Sequence, residues 1–293
     1  MTGSAADMAG SNNDTGKHTT DRKRVGILGL GRMGSSIAHN VARAGFRVQA
    51  FDPASEPVLF PEPNIELKQS EGGAAEGADI ILVIVGFDEE VKTILFQPGF
   101  VARLHAGQVI AVMSTVRPDT MNELRRGLPD FVRLVDAPVC RGQVAADEGR
   151  LLALVGGDVA DVDNVRDVLG AFCTQIERTG ALGTGQVTKM ANNVMLWAAY
   201  FGVFESMRLM RAAGVDVDLA RNALLSSSAN SWALSMWPDI RPVWAQDDLE
   251  IAQQVATSLD VPAPVLASVY DAFQLWPNPE QTYLAENDAR HEG

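Results

Sequence analysis

From about Arg24 onward the chain alternates short apolar runs with amphipathic segments. "RVGILGL", "FRVQAFD", "ADIILVIVG", "GQVIAVMS" and "VRLVDAPV" read as strands, with helical stretches between them. "ADIILVIVG" is apolar without interruption and bounded by polar residues, as a parallel strand covered on both faces requires. The stretch "GRMGSSIAHNVARAG" reads as a helix that ends at Gly45. Strands alternating with helices predict a doubly wound α/β sheet with crossover connections.

After "LLALVGGD", Val162, Val165, Val168 and Leu169 recur at helical spacing. A long segment follows, opened by glycines and Thr184 and ended by Gly214, with apolar side chains on most of its circumference. A helix that apolar is expected to be buried nearly all round, between domains or between subunits. Beyond Gly214 the pattern is helical throughout, in "DLARNALLSSS", "DLEIAQQVATSL" and a final segment after "VPAPV". The expected organisation is a polar tail over residues 1–23, read as disordered, an α/β domain over 24–184, and an interdomain helix with an all-helical C-terminal domain over 185–293.

Composition narrows the function. With 293 residues and 46% hydrophobic positions the chain can bury two cores. A net charge of -13 disfavours nonspecific nucleic-acid binding and an anionic membrane surface, and leaves room for a local basic pocket facing an acidic substrate. The longest apolar run, Val194 to Phe204, is too short to cross a bilayer, and the N-terminus lacks the apolar core of a signal peptide. Two cysteines, in no Cys-x-x-Cys or Cys/His pattern, predict neither a disulfide framework nor a metal site, and point to the cytoplasm.

"GILGLGRMG" contains G-x-G-x-x-G as Gly29, Gly31 and Gly34. Alone this is a weak signal. Here it follows a strand, opens a helix and is followed by Asp52 at the end of the next strand, the context of a dinucleotide site. Gly29 permits the tight turn, Gly31 lets the backbone approach a pyrophosphate and Gly34 lets the helix pack closely, with Leu30, Arg32 and Met33 completing the turn. The helix N-terminus offers unpaired N–H groups to phosphate. Asp52 would accept from ribose hydroxyls and repel a 2′-phosphate, so NAD is favoured over NADP. The fold expected is a Rossmann domain.

"GQVTKMANN" puts Lys189 near the start of the long helix, with Asn193 on the same face. Surrounded by apolar residues, this lysine reaches water only if it lines a cleft, and the end of the dinucleotide domain is where a cleft would open. Beside a nicotinamide, desolvation and the ring's positive charge favour the neutral amine, which can take a proton from a hydroxyl as hydride leaves the carbon. Asn193 can hold the same oxygen.

Together "GLGRMG", "MSTVRP", "DAPVCRG…EGRLLALVGG" and "GTGQVTKMANN" resemble the β-hydroxyacid dehydrogenases, which include 3-hydroxyisobutyrate dehydrogenase, tartronate semialdehyde reductase and sulfolactaldehyde reductase. The resemblance runs from about Val25 to Gly214 and weakly to Leu284. It implies Lys189 as general acid/base, Asn193 as its polar partner, and Ser114 and Thr115 near the nicotinamide half of the cofactor, Thr115 in contact. It also implies homodimers or homotetramers. The segment that often reads Met-Leu-Pro in the family is Ile84-Val85-Gly86 here, with Val85 the expected cofactor contact.

Three further departures concern the substrate side. A Ser-Gly-Gly loop appears as Cys140-Arg141-Gly142, a Lys-Asp-Leu as Asp247-Asp248-Leu249, and "WPDIRPVWAQ" is shorter than usual. The Cys140-Arg141 pair has three readings: a nucleophile with its activator, an anion clamp, or a surface loop with Arg141 paired to Asp147 or Glu148. None of the four histidines, His18, His39, His105 and His291, stands in a catalytic pattern with Cys140, which is therefore read as a small residue in the serine's place. Arg141 is expected to meet a second anion of the substrate. Backbone N–H groups of Arg141, Gly142 and Gln143 are expected to hold the acidic tail. The function expected is NAD-dependent interconversion of a small 3-hydroxy acid, or similar anionic alcohol, and its semialdehyde. The alternatives are an imine reductase, against which Lys189 counts, and a noncatalytic NAD-binding sensor or scaffold.

Overall fold

The structure, a computed structural model, describes residues 22–53 and 60–291, so the tail expected at the N-terminus lies almost wholly outside it. Its N-terminal half is a nine-stranded sheet. Strands β1 (Arg24–Leu28), β2 (Arg47–Phe51), β3 (Ile65–Leu67), β4 (Ile80–Val83), β5 (Val109–Val112) and β6 (Arg133–Asp136) are parallel, in the order β3-β2-β1-β4-β5-β6. The central strands β4 and β5 are wholly buried, and alternate residues feed opposite cores. Ile80 and Leu82 join Ile37 and Val41 of α1 (Arg32–Arg43), whereas Ile81 and Val83 face the other side. There they meet α2 (Glu71–Ala75), α3 (Asp88–Leu95), α4 (Pro98–Val101) and α5 (Pro118–Gly127). Period-two burial on both faces is what a covered parallel sheet imposes.

The expected single strand "VRLVDAPV" is in fact two, β6 and β7 (Val139–Cys140). Pro138 lies in the gap and has no N–H to give the ladder. Both pieces pair antiparallel with β8 (Leu151–Gly156), and β9 (Cys173–Gly180) runs parallel to β8. Helix α6 (Gly142–Asp147) fills the β7–β8 connection, and α7 (Val159–Leu169) crosses from β8 to β9. The sheet is thus mixed at this edge rather than parallel throughout.

The 29-residue helix α8 (Thr184–Ala212) leads into α9 (Val217–Leu225), α10 (Trp232–Ser235), α11 (Ala245–Ser258), α12 (Pro264–Leu275) and α13 (Pro279–His291). Trp197, Tyr200, Phe201 and Phe204 of α8 meet Leu249, Leu266 and Phe273 in a separate core. Within the single chain the burial of α8 is one-sided, which leaves its other faces for the burial between subunits that the sequence allows. The later helices cover only one side of α8, and Met195 and Leu209 on other faces are 67% and 71% exposed in the single chain.

Candidate active site

The glycine turn lies where β1 meets α1, at the carboxyl edge of the sheet and between the outward-running β2 and β4. This is the switch point where doubly wound sheets bind ligands. Gly29 has φ 99°, and a Cβ there would stand 2.1 Å from the Ile84 carbonyl oxygen. A Cβ on Gly34 would stand 2.1 Å from the Gly29 carbonyl oxygen, so helix and turn can approach this closely only without side chains. Around Gly31 a Cβ would meet nothing within 4 Å, so the turn is open on that side. Gly31 caps α1 without a side-chain bond, leaving first-turn N–H groups for a ligand. These features fit a dinucleotide pyrophosphate. Leu30 is buried, Met33 packs against the core and Arg32 is exposed. Asp52 accepts from the Leu30 N–H at 2.6 Å, which fixes the carboxylate beside the turn.

Val85 and Thr115 follow β4 and β5 at the same edge, both half-buried. Ser114 is buried and used locally: its hydroxyl accepts from the Val85 N–H at 2.9 Å and donates to the Val85 carbonyl at 2.8 Å. It fastens the two loops together, while Thr115 stays accessible.

The start of α8 is fixed to this edge by two residues that sequence reading passed over. Asp136, fully buried at the end of β6, accepts from the Gly183 N–H at 2.6 Å and the Gln186 N–H at 2.8 Å, and also from Gly185. Burial pushes its carboxyl above the ordinary 3.8, and these donors pull the other way. Gln186 donates from its side chain to the Ser114 carbonyl at 2.8 Å and accepts from the Val116 N–H at 3.1 Å. An acid closing an apolar strand was the available signal for Asp136. Its partner, a helix start some fifty positions on, was not visible.

Lys189 follows directly. Its Nζ lies 4.0 Å from Cys140 Sγ, which brings α8 and the β7 loop together. Burial raises the Cys140 thiol, and Lys189 pulls it back down. Asp248 of α11 also faces Lys189; it accepts from Trp197 Nε1 at 3.0 Å and from the Asn193 side chain. Burial raises its carboxyl, and Lys189 is the largest opposing influence. Asn193 is buried, and its Oδ1 also accepts from Asn192 at 3.0 Å, so its amide is engaged within the protein. Sequence reading weighed Asp247 and missed Asp248, although an acid beside Ala245, Leu249 and Ala252 on the buried face of α11 marked it.

The loop after Cys140 departs most from expectation. Arg141 is exposed and caps α6, and its guanidinium donates to the Arg150 carbonyl, Thr174 Oγ1 and Gln175 Oε1. It meets neither Asp147 nor Glu148 in these bonds: Asp147 accepts from Ser36 and Gln143, and Glu148 pairs with Arg150. Gly142, with φ 75°, is exposed. Gln143 turns to α1, donating to the Arg32 carbonyl at 3.1 Å and Ser36 Oγ at 3.0 Å. Both cysteines are free and buried.

A Rossmann domain whose open glycine turn shares an edge with a lysine, on the helix leading into an all-helical domain, defines a two-domain NAD(P)-binding oxidoreductase. Residues 24–181 match the family described as the NAD binding domain of 6-phosphogluconate dehydrogenase, and residues 183–290 match that described as NAD-binding of NADP-dependent 3-hydroxyisobutyrate dehydrogenase. The chain belongs to the 3-hydroxyisobutyrate dehydrogenase, or β-hydroxyacid dehydrogenase, family. It is 28% identical over 289 residues to 3-hydroxyisobutyrate dehydrogenase of Pseudomonas aeruginosa, covering 92% of this chain and 94% of that one. Against 2-hydroxy-3-oxopropionate reductase of Escherichia coli it is 29% identical over 265 residues, 85% and 90% of the two chains. The solved 3-hydroxyisobutyrate dehydrogenase of Mycobacterium tuberculosis with L-serine shares the fold, with a TM-score of 0.77 over 87% of this chain and 94% of that one at 23% identity.

Proposed function

We propose that the protein is an NAD-dependent dehydrogenase/reductase that interconverts a small 3-hydroxy acid, or a similar anionic alcohol, and its semialdehyde. The observation that carries this reading is the placement of Lys189. Asp136 and Gln186 hold the first turns of α8 against the carboxyl edge of the sheet, and Lys189 sits just beyond them, beside Cys140.

Bound nicotinamide supplies the hydride acceptor for oxidation and, when reduced, the donor. Lys189 accepts the hydroxyl proton during oxidation and returns it to the carbonyl oxygen during reduction. Asn193 lines the same wall and steadies Asp248, whose carboxylate offsets the lysine's charge. Cys140, 4.0 Å from Lys189 Nζ, lines the same wall, and the backbone of Arg141, Gly142 and Gln143 receives the acidic tail. Asp52, fixed to the Leu30 N–H, supports NAD over NADP by offering a carboxylate where NADP has a phosphate. The free cysteines are consistent with a cytoplasmic protein. The open sides of α8 support assembly as a homodimer or homotetramer, as does a groove of about 420 Å³ between α8 and α12.

The test is NADH formation from NAD+ across a panel of 3-hydroxy acids, with NADP+ run in parallel. Turnover with a preference for NAD+ is expected. NADH binding without turnover of any acid would instead support the noncatalytic reading.

A further inference from the structure

The loop carrying Cys140 is bent against the backbone's own preference. Arg141 has φ 90°, in the left-handed region that a residue with a Cβ rarely adopts. Among the described residues the only other non-glycine there is Asp260, far along the chain. Gly142 follows at φ 75°, so the chain makes its reversal over two consecutive positions and then enters α6. Such a conformation persists only where the surroundings hold it.

Here they hold it from two sides. Arg141 Nη1 donates to the Arg150 carbonyl at 3.0 Å and to Thr174 Oγ1 at 2.9 Å, and Nη2 donates to Gln175 Oε1 at 2.8 Å. Thr174 and Gln175 belong to β9, and Arg150 immediately precedes β8. Across the loop, Gln143 Nε2 reaches the Arg32 carbonyl and Ser36 of α1. A planar fork spanning several fixed acceptors sets its own orientation, and hence that of the backbone it springs from. Swinging the fork away to an anion would give up the bonds to Arg150, Thr174 and Gln175 and leave only the Gln143 side to oppose the strain at φ.

We propose that Arg141 is a positioning residue, a latch that ties the Cys140–Gln143 loop to β9 and keeps Cys140 beside Lys189, rather than the group that binds a second anion of the substrate. What the loop does for a substrate rests on the dehydrogenase reading; the latch itself does not.

Two measurements separate these. The first needs no substrate. In a Cys173→Ala background Cys140 is the sole thiol, and its labelling by a maleimide reports opening of the loop. Arg141→Ala and the double variant Thr174→Val/Gln175→Leu should each label about tenfold faster, as expected for lost hydrogen bonds to a charged group. Arg141→Gly should fall between these and the parent, because glycine loses the latch and relieves the strain. The double variant keeps the guanidinium, so it excludes a purely electrostatic effect on the thiol. Removing the arginine's charge would by itself raise the thiol further and slow labelling.

The second measurement is the KM of acids. The latch predicts a similar rise for monoanionic and dianionic acids in Arg141→Ala and in the double variant, with the Kd of NADH unchanged. Labelling rates unchanged in both variants overturn the latch, as does a KM rise confined to dianions in Arg141→Ala and absent from the double variant. If the native protein turns over no acid, the dehydrogenase reading fails and the labelling rates alone decide the latch.

Discussion

The two halves of α8 are held in different ways. The first turns are fixed by directional bonds: Asp136 takes backbone N–H groups at Gly183 and Gln186, and the Gln186 amide bridges to Ser114 and Val116. The second half is fixed by area, with Tyr200 and Phe204 fully buried and Trp197 nearly so, all within an aromatic cluster that includes Trp237. Hydrophobic burial is strong and nondirectional, whereas a buried hydrogen bond adds less net energy but sets a position within tenths of an ångström. The half that places Lys189 uses the second kind, and the half that anchors the helical domain uses the first. Asp248 joins them, reaching from α11 to Trp197 on one side and to Asn193 and Lys189 on the other.

Substitutions can break this contrast. Lys189→Ala should cost the most activity, about a thousandfold in kcat/KM, with the Kd of NADH and thermal stability little changed. Titration with NADH beside steady-state rates checks this; a loss of cofactor affinity of similar size would mean that the lysine supports binding rather than proton transfer. Phe204→Ala should destabilise by about 3–5 kcal/mol in urea unfolding, while kcat per folded molecule stays near native. Asp136→Ala should do some of each. It strands buried N–H groups of Gly183 and Gln186, costing about 2–3 kcal/mol, and it lets the start of α8 shift, so kcat falls as well. If Asp136→Ala lowers stability and leaves kcat untouched, the division of labour along α8 is wrong.

The features legible in the sequence were local ones. The glycine turn, the covered strands and the apolar long helix each announce themselves within a short window, and Lys189 stood out because a cation interrupted an apolar pattern. What escaped were pairings across the chain. Asp136 was in view as the end of a strand, but its partners lie at Gly183 and Gln186. Asp248 was read past in favour of its neighbour: helical spacing from Ala245, Leu249 and Ala252 put it on the buried face of α11, but its partners Trp197 and Asn193 on α8 lie some fifty positions away. The bonds from Arg141 to Thr174 and Gln175 of β9 also escaped, because no spacing in "CRGQ" reveals those acceptors. The split of β6 from β7 was readable at Pro138, whose missing N–H should have ended the strand. Which faces of α8 the chain's own helices cover was not, because composition alone cannot count those helices.

The smallest expected effect concerns pH and isolates the directional half from the rest of the molecule. Burial raises the folded-state value of Asp136 above 3.8, outweighing its backbone donors. For an acid raised in this way the native state holds its proton more tightly than the unfolded chain. Stability contributed by this group therefore falls as pH rises from about 3.8 through the folded value, and is flat above it. Glu62 and Asp147 behave oppositely: both are lowered in the fold, Glu62 with help from His39 and Asp147 from Ser36 and Gln143, so their contribution is lost as pH falls through their folded values. Asn at position 136 cannot titrate. The urea midpoint of the native protein should thus decline relative to that of Asp136→Asn as pH rises through the window above 3.8, then hold a constant offset toward neutrality. An offset that instead grows in favour of the native protein with rising pH would mean that the N–H groups at the start of α8 stabilise the carboxylate more than burial penalises it. The same bonds would then hold Lys189 in place more firmly at neutral pH than at acid pH.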